Sequence, residues 1–157
     1  MKFHLYLNEQ KSYNNWVNYT PQSLKEDFAE YKKKEDKNWK NRSQSMGFRF
    51  PIFKDFPEFT QALKTAQVKK LFKGEAERIP HVSLLDTIDS VKDMVGSYKR
   101  PRNVDRIVSG FESNAKMPMP IILKGKNGKH IMAGNTRLNV AYVMDIIPQV
   151  MEIDVTK

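Results

Sequence analysis

The first half of the chain spaces its apolar residues as helices do. Leu24, Phe28 and Tyr31 recur on one helix face behind Pro21, a residue that favours the first helical turn. This pattern predicts a helix over residues 21–40.

A second helix is predicted over residues 56–72. Asp55 and Glu58 have the spacing of a capping box, which satisfies backbone donors at a helix start. Phe59 begins its apolar stripe, and Gly74 is predicted to end it.

The second half alternates strand and helix patterns. Residues 79–85 are rich in apolar and β-branched types and predict a strand. Residues 103–113 carry an apolar stripe and predict a helix. Residues 120–123 and 129–133 predict two strands joined through Asn127-Gly128, a dipeptide typical of hairpin turns.

Two further elements complete this half. Residues 136–145 predict a helix, and residues 150–155 alternate as a strand. The predicted order is strand, helix, strand, strand, helix, strand. We therefore expect an α+β fold with a small mixed sheet and helices.

Aromatic residues divide the chain unevenly. Fourteen of the seventeen Phe, Trp and Tyr precede Arg78. We therefore predict a helical, basic and aromatic-rich extension over residues 1–74, followed by the α+β domain over residues 75–157.

Charge and composition narrow the classes of function. The chain has 27 Lys and Arg against 18 Asp and Glu, a formal charge of +9, which favours anionic partners such as nucleic acid or nucleotide phosphates. Cysteine is absent, which excludes disulfide frameworks, thiolate metal sites and Cys nucleophiles. No apolar run reaches membrane-spanning length, and the N-terminus lacks the apolar region of a secretory signal. We expect a cytoplasmic protein without a membrane partner.

One motif combines features that suit phosphate. Gly134, Asn135, Thr136 and Arg137 lie between a predicted strand and a predicted helix. Glycine allows close backbone approach, the helix start favours an anion, and arginine offers a planar cationic fork. We predict that these four residues bind nucleotide phosphates. The alternative is that Gly134 only turns the chain and Arg137 is a surface arginine.

Four segments together resemble the ParB N-terminal and sulfiredoxin-like superfamily, and they lie at residues 79–84, 119–123, 134–141 and 147–150. The resemblance covers about residues 75–157. It implies a ParB/sulfiredoxin-like small mixed sheet with helices, and a motif that binds the phosphates of a nucleoside triphosphate. Because members of the superfamily include CTP-binding partition proteins, an ATP-dependent sulfinic acid reductase, small-molecule kinases and nucleases, the chemistry stays open.

Two departures from the superfamily narrow the expectation. The sulfiredoxin branch has its nucleophilic Cys directly after the motif glycine, where this chain has Asn135. Partition ParB proteins continue into a second nucleotide motif and a helix-turn-helix domain, whereas this chain stops at Lys157. We therefore expect neither reductase chemistry nor a CTP clamp with operator binding.

Further candidates surround the motif. The resemblance implies a second basic contact to the nucleotide from Arg102 and Arg106, which otherwise belong to a solvated helix start. Asp86 is the predicted catalytic carboxylate, orienting the acceptor or Mg²⁺, although it also suits an ordinary turn. The three histidines lack ligand spacing, so no protein-held metal site is predicted.

Cations interleave with aromatic residues in the first half. Arg42, Arg49 and Lys54 lie in such a stretch and are predicted to bind nucleic acid, because stacking rings and basic grooves hold single strands. The alternative is that the rings pack in a core.

These observations lead to one principal expectation. We expect the protein to bind a nucleoside triphosphate together with Mg²⁺, and ATP is the nucleotide we expect most. The bound nucleotide would serve phosphoryl transfer or NTP hydrolysis that takes place on or near DNA or RNA. Such a protein would be a kinase-like phosphotransferase or an NTPase. The alternatives are a ParB-like DNA-binding or nuclease accessory module without nucleotide turnover, and a protein-binding inhibitor or adaptor.

Overall fold

The computed structural model describes residues 13–18, 21–33, 37–80, 82–97 and 102–157. Within these ranges the chain forms seven helices and six strands, so the predicted α+β class is confirmed. The helices are α1 Pro21–Lys33, α2 Lys37–Ser45, α3 Phe56–Lys64, α4 Lys73–Glu77, α5 Ile88–Gly96, α6 Val104–Glu112 and α7 Asn135–Val143. The strands are β1 Trp16–Val17, β2 Gln67–Lys70, β3 Met117–Pro118, β4 Ile121–Lys124, β5 Lys129–Ala133 and β6 Gln149–Asp154.

Four strands form one mixed sheet in the order β2-β6-β4-β5. β4 pairs in parallel with β6, whereas β2 with β6 and β4 with β5 are antiparallel. A separate parallel pair joins β1 to β3, with Trp16 opposite Met117. The sheet therefore takes its outer strand β2 from the first half of the chain.

The alternation of side chains along β4 and β6 separates two apolar clusters. Ile122 and Val150 pack with Leu138 and Tyr142 of α7 on one face of the sheet. Residues of the opposite parity, such as Ile153, join the larger cluster, which contains most of the buried aromatic rings. Helix α7 contributes to both clusters, so the helix is packed on two sides.

The first half of the chain lies against the last residues of the second half. Phe48 forms a β-bridge with Thr156, and Arg49 N–H donates to the carbonyl of Val155 at 2.9 Å. Gly125 has no room for a Cβ, which would lie 2.3 Å from the Met46 carbonyl oxygen. Residues on either side of position 74 share one sheet and one core. The predicted division into an extension over residues 1–74 and a domain over residues 75–157 stays a prediction.

Several predicted elements are confirmed. The hairpin strands, the helix over residues 103–113, the helix over residues 136–145 and the last strand all form within two residues of their predicted bounds. Asp55 also caps its helix, accepting from the Glu58 N–H at 2.9 Å.

Other predicted elements are wrong. The helix expected over residues 56–72 ends at Lys64, because the next segment pairs with β6 as β2, and Gly74 lies inside α4. The helix predicted over residues 21–40 is by contrast confirmed in its described residues, which belong to α1 and α2, and residues 34–36 lie outside the described part. The strand over residues 79–85 does not form in its described residues, and His81 lies outside them. Helix α5 was not predicted, although Thr87 caps it.

In the part of the chain that the structure describes, no helix is both long and apolar enough to cross a membrane.

Candidate functional site

Gly134 forms a left-handed turn between β5 and α7. Its φ is +94°, and a Cβ at this position would lie 2.8 Å from the Cα and Cβ of Pro120. Both the backbone conformation and the contact with Pro120 therefore require glycine. The turn brings the end of β5 directly onto the first turn of α7.

The start of α7 differs from the starts of the neighbouring helices. Asp55, Thr87 and Asn103 cap α3, α5 and α6 with side-chain oxygens, and each of these helices carries an acidic residue in its first turn. Helix α7 begins at Gly134 without a side-chain cap from any described residue and without an acidic first turn. Its first N–H groups have no carbonyl partner inside the helix, since the first helical bond runs from Leu138 N–H to Gly134.

Arg137 lies back over this turn. Its Nε donates to the carbonyl of Pro118 at 3.0 Å, and its Nη2 lies 3.0 Å from the position that a Cβ on Gly134 would occupy. The guanidinium is half-buried. A cation, a positive helix end and a turn without a side chain therefore meet at one place, which favours an anion.

The side chains of Thr136 and Asn135 contribute differently. Thr136 is buried, so its backbone N–H is the group that the helix start offers. Asn135 is half-buried and accepts a hydrogen bond from the side chain of Asn139. The four predicted phosphate-binding residues therefore share one turn, and their function stays a prediction.

Asn139 connects this turn to the segment that carries Asp86. Its side chain is fully buried, with Nδ2 donating to the Asn135 carbonyl at 3.1 Å and Oδ1 accepting from the Leu85 N–H at 3.0 Å. Asp86 follows Leu85 directly and is exposed. The predicted carboxylate therefore lies on a segment that is tied to the helix start, although its role is untested.

The two predicted basic contacts have different surroundings. Arg102 forms an ion pair with Glu30 of α1, with Nη2 at 3.7 Å from the carboxylate, and a phosphate would compete with that carboxylate. Arg106 is exposed on α6, a helix that packs against α7. The ion pair with Glu30 therefore weighs against the predicted contact of Arg102, and the predicted contact of Arg106 stays a prediction.

The carboxylate in the first turn of α6 is paired with a lysine. Asp105 contacts Lys92 at 2.9 Å, and this hydrogen bond raises the pKa of Lys92 above its usual value. No group of three or more His, Asp or Glu side chains within the described ranges is arranged to hold a metal ion.

Several aromatic rings of the first half are core residues. Phe48, Phe53 and Phe59 are fully buried, and Trp39 contacts the ring of His130 on β5 at 4.5 Å. Buried rings cannot stack on nucleic-acid bases, so the alternative of core packing is correct for these side chains.

The three predicted nucleic-acid-binding cations surround this core. Arg42 lies over Trp39 at 5.5 Å and Arg49 over Phe53 at 5.8 Å, whereas Lys54 is exposed. Their contact with nucleic acid stays a prediction. The arrangement alone accounts for the interleaved pattern, because cations next to buried rings cover them from solvent.

Arg49 also lines a shallow groove between α3 and the end of β6. The groove has a volume of about 440 Å³, and Glu58 and Asp154 share it with Arg49. Hydrogen bonds from Thr156 lower the pKa of Asp154, with Lys124 and Arg49 adding to the effect. Two carboxylates beside one guanidinium do not form the uniformly basic surface that a polyanion favours.

Sequence reasoning missed Asn139, Pro118 and Pro120. Asn139 had a detectable signal, because it is a polar residue inside the apolar run of residues 138–142. The two prolines had none, since their contacts with the turn arise only when the sheet forms.

Comparison with protein-family models, with curated proteins and with solved structures found no match for this chain.

Proposed function

We propose that this protein binds a nucleoside triphosphate at the turn formed by residues 134–137, and that this nucleotide is ATP. The observation that carries the proposal is the start of α7. It lacks a side-chain cap from the described residues and an acidic first turn, and Arg137 lies over it. A phosphate at this position would interact favourably with the positive end of α7 and with the guanidinium of Arg137.

The same residues support a ParB/sulfiredoxin-like assignment for the second half. A hairpin strand leads through Gly134 into a helix and then a strand parallel to β4, in the order that the resemblance implies. The described residues of the segment 79–85 form no strand, which is a departure from that expectation. The fold assignment is therefore part of the proposal.

Each residue has a distinct proposed role. The N–H groups of Asn135 and Thr136 donate to phosphate oxygens, and Arg137 neutralises their charge. Arg106 approaches from α6. Mg²⁺ would be bound together with the triphosphate, through phosphate oxygens and water, and would neutralise part of the phosphate charge, so it would need few ligands from the protein.

The proposed reaction is phosphoryl transfer to a hydroxyl of a nucleic acid, or to water. The acceptor oxygen forms a bond to the terminal phosphorus while the bond to the bridging oxygen breaks. Asp86 is proposed to orient the acceptor and to take its proton. Asn139 holds the segment of Asp86 near the phosphates.

The test is nucleotide binding and turnover by the wild type and by Arg137→Gln, with Arg78→Gln as a control. Arg78 is an exposed arginine in another part of the chain, so its variant has the same charge change. We expect ATP with Mg²⁺ to raise the melting temperature of the wild type and of the control. Loss of a charge-assisted contact is expected to weaken binding by Arg137→Gln about tenfold or more. Equal affinities and rates in all three proteins would contradict the proposal.

A second candidate function uses the same turn without nucleotide chemistry. The formal charge of +9 favours a DNA phosphate as the anion that Arg137 contacts. This function predicts DNA binding that weakens steeply with salt and no effect of ATP on the melting temperature. Measuring both properties on one preparation distinguishes the two functions.

A further inference from the structure

Two exposed apolar side chains share one short segment of the first half. Val68 and Phe72 are each 51% exposed, and they are the large apolar residues that the described part of the chain leaves most open. Val68 lies in β2, and Phe72 continues the extended backbone with φ −76° and ψ 151°. Because side chains alternate along an extended chain, the two residues and Lys70 between them project to the same side.

The same segment is an edge of the sheet. β2 is the outermost strand, and it pairs only with β6 among the described residues. Leu71 N–H donates to the Pro148 carbonyl at 2.9 Å, so residues 67 and 69 also direct their backbone groups toward β6. Val68 and Lys70 then direct their N–H and C=O groups outward, where no described residue pairs with them.

The charge around this edge is positive. Lys64, Lys70 and Lys73 are exposed and form no ion pair with any residue in the described ranges. Lys69 differs, since it contacts Glu75 at 3.3 Å and Glu152 at 3.8 Å. Three ammonium groups that pair with no described residue therefore lie within a few residues of Val68 and Phe72 in the chain.

The lysines around the outer edge of β2 favour one kind of binding partner over others. A second copy of β2 would bring lysine against lysine, which is unfavourable across paired strands. A strand with carboxylates would instead place opposite charges together. Nucleic acid would satisfy the lysines and leave the outward N–H and C=O groups without strand partners.

We propose that the outer edge of β2 binds an extended acidic segment of another protein by strand addition. The partner main chain pairs with Val68 and Lys70, its apolar side chains contact Val68 and Phe72, and its carboxylates meet Lys64, Lys70 and Lys73. This surface is separate from the turn at Gly134, so the inference does not depend on the proposed nucleotide binding.

The probe is a synthetic eight-residue peptide in which every second residue is Thr and the residues between them are Val, Glu, Val and Glu, so that Val and Glu share one face as Val68, Lys70 and Phe72 do. Its control replaces each Glu by Lys. Binding is measured by calorimetry, and amide hydrogen exchange is followed by NMR. We expect saturable binding of the acidic peptide alone. Exchange at Val68 and Lys70 should slow about tenfold on binding, while exchange at Gln67 and Lys69, which already pair with β6, should change little.

The decisive variant is Val68→Pro, with Val68→Thr as its control. Proline removes an outward N–H and is tolerated on an edge strand, whereas threonine keeps the N–H and a branched side chain. We expect Val68→Pro to weaken peptide binding about tenfold relative to Val68→Thr. Melting temperatures show whether both variants fold.

Charge reversal gives a test that does not need proline. Lys70→Glu is expected to weaken the acidic peptide and to improve the lysine peptide. The proposal is overturned if the acidic peptide does not bind, if Val68→Pro and Lys70→Glu bind it as the wild type does, or if the edge forms a dimer of this chain. Binding of a single-stranded oligonucleotide that protects the same amides and is unaffected by Val68→Pro would also overturn it.

Discussion

The aromatic segment of residues 39–59 and the turn of residues 134–137 both combine cations with features suited to nucleic acid or nucleotides. In the aromatic segment four rings are buried, and arginines lie over two of them, the rings of Trp39 and Phe53. At the turn the backbone itself is unusual, with a glycine at positive φ and an arginine folded over it. The interleaving of cations and rings in sequence therefore did not distinguish a core from a binding surface, whereas a glycine next to a helix start indicated a candidate site.

The largest expected effect separates the buried rings from the cations that surround them. Phe59 stacks on Phe28 at 5.4 Å and contacts Phe53 at 5.2 Å. Phe59→Ala should lower the free energy of unfolding by about 3–5 kcal/mol because it leaves a cavity. Urea unfolding measures this loss. Lys54→Ala, an exposed neighbour, should change stability by less than about 0.5 kcal/mol, and similar losses in both variants would contradict the distinction.

The next effect tests the turn. Gly134→Ala should cost about 1–3 kcal/mol, since alanine is strained at this φ and its Cβ would meet Pro120. It should also abolish ATP binding by displacing Arg137. Gly74→Ala is the control, because an added Cβ there has no neighbouring atom within 4 Å, and it should leave ATP binding unchanged. Denaturation and calorimetry measure both properties. Wild-type ATP affinity in Gly134→Ala would contradict the role of the turn.

A smaller effect on stability is expected from a hydrogen bond of α7, the helix that begins at the turn of residues 134–137. Tyr142 of α7 donates its hydroxyl to the Leu71 carbonyl at 2.6 Å. Tyr142→Phe should cost about 1–2 kcal/mol, because a buried carbonyl loses its partner.

Tyr142 also predicts an alkaline pH dependence. Burial raises the pKa of Tyr142, with Glu75 and Glu77 adding to the effect, whereas the unfolded chain ionises near pH 10. The hydroxyl therefore stabilises the fold fully below about pH 10, and this stabilisation falls as the pH rises further. The difference between wild type and Tyr142→Phe should shrink above that pH, as urea titrations at several pH values would show. A constant difference would contradict the assignment.

The smallest effect concerns the groove beside the aromatic segment. The pKa of Asp154 is lowered first by hydrogen bonds from Thr156. Its carboxylate therefore stabilises the fold above about pH 4, and this contribution is lost as the pH falls below the depressed pKa. Because the group is exposed, Asp154→Asn should cost less than about 1 kcal/mol at pH 7 and nothing at acidic pH. A larger loss, or one that persists in acid, would contradict this assignment.

Local signals predicted local elements. The Asn127-Gly128 turn, the stripe of residues 103–113 and the alternation of residues 150–155 each specify structure through near neighbours, and each formed as expected. Residues 67–70 continue a helical pattern in sequence, but they form β2 by pairing with β6, which is about eighty residues away. A sequence pattern confined to one window does not contain that partner.

The candidate site, like the fold, was predictable from sequence only where its residues are neighbours in the chain. Gly134 and Arg137 were found from their spacing, because a strand, a glycine and a helix start follow one another in the chain. The contacts that fix them were not, since Pro118 and Pro120 approach the turn only when β3 and β4 are in place. Arg102 was placed by resemblance, and its ion pair with Glu30 depends on the packing of α1.

The most direct test of the central claim is an ATP titration with Mg²⁺, followed through backbone amide shifts. The account predicts that the largest shifts occur at Gly134, Asn135, Thr136 and Arg137, saturate together with one affinity, and disappear in Arg137→Gln. Shifts centred on Arg42, Arg49 and Lys54, or no saturating shift at the turn, would contradict it.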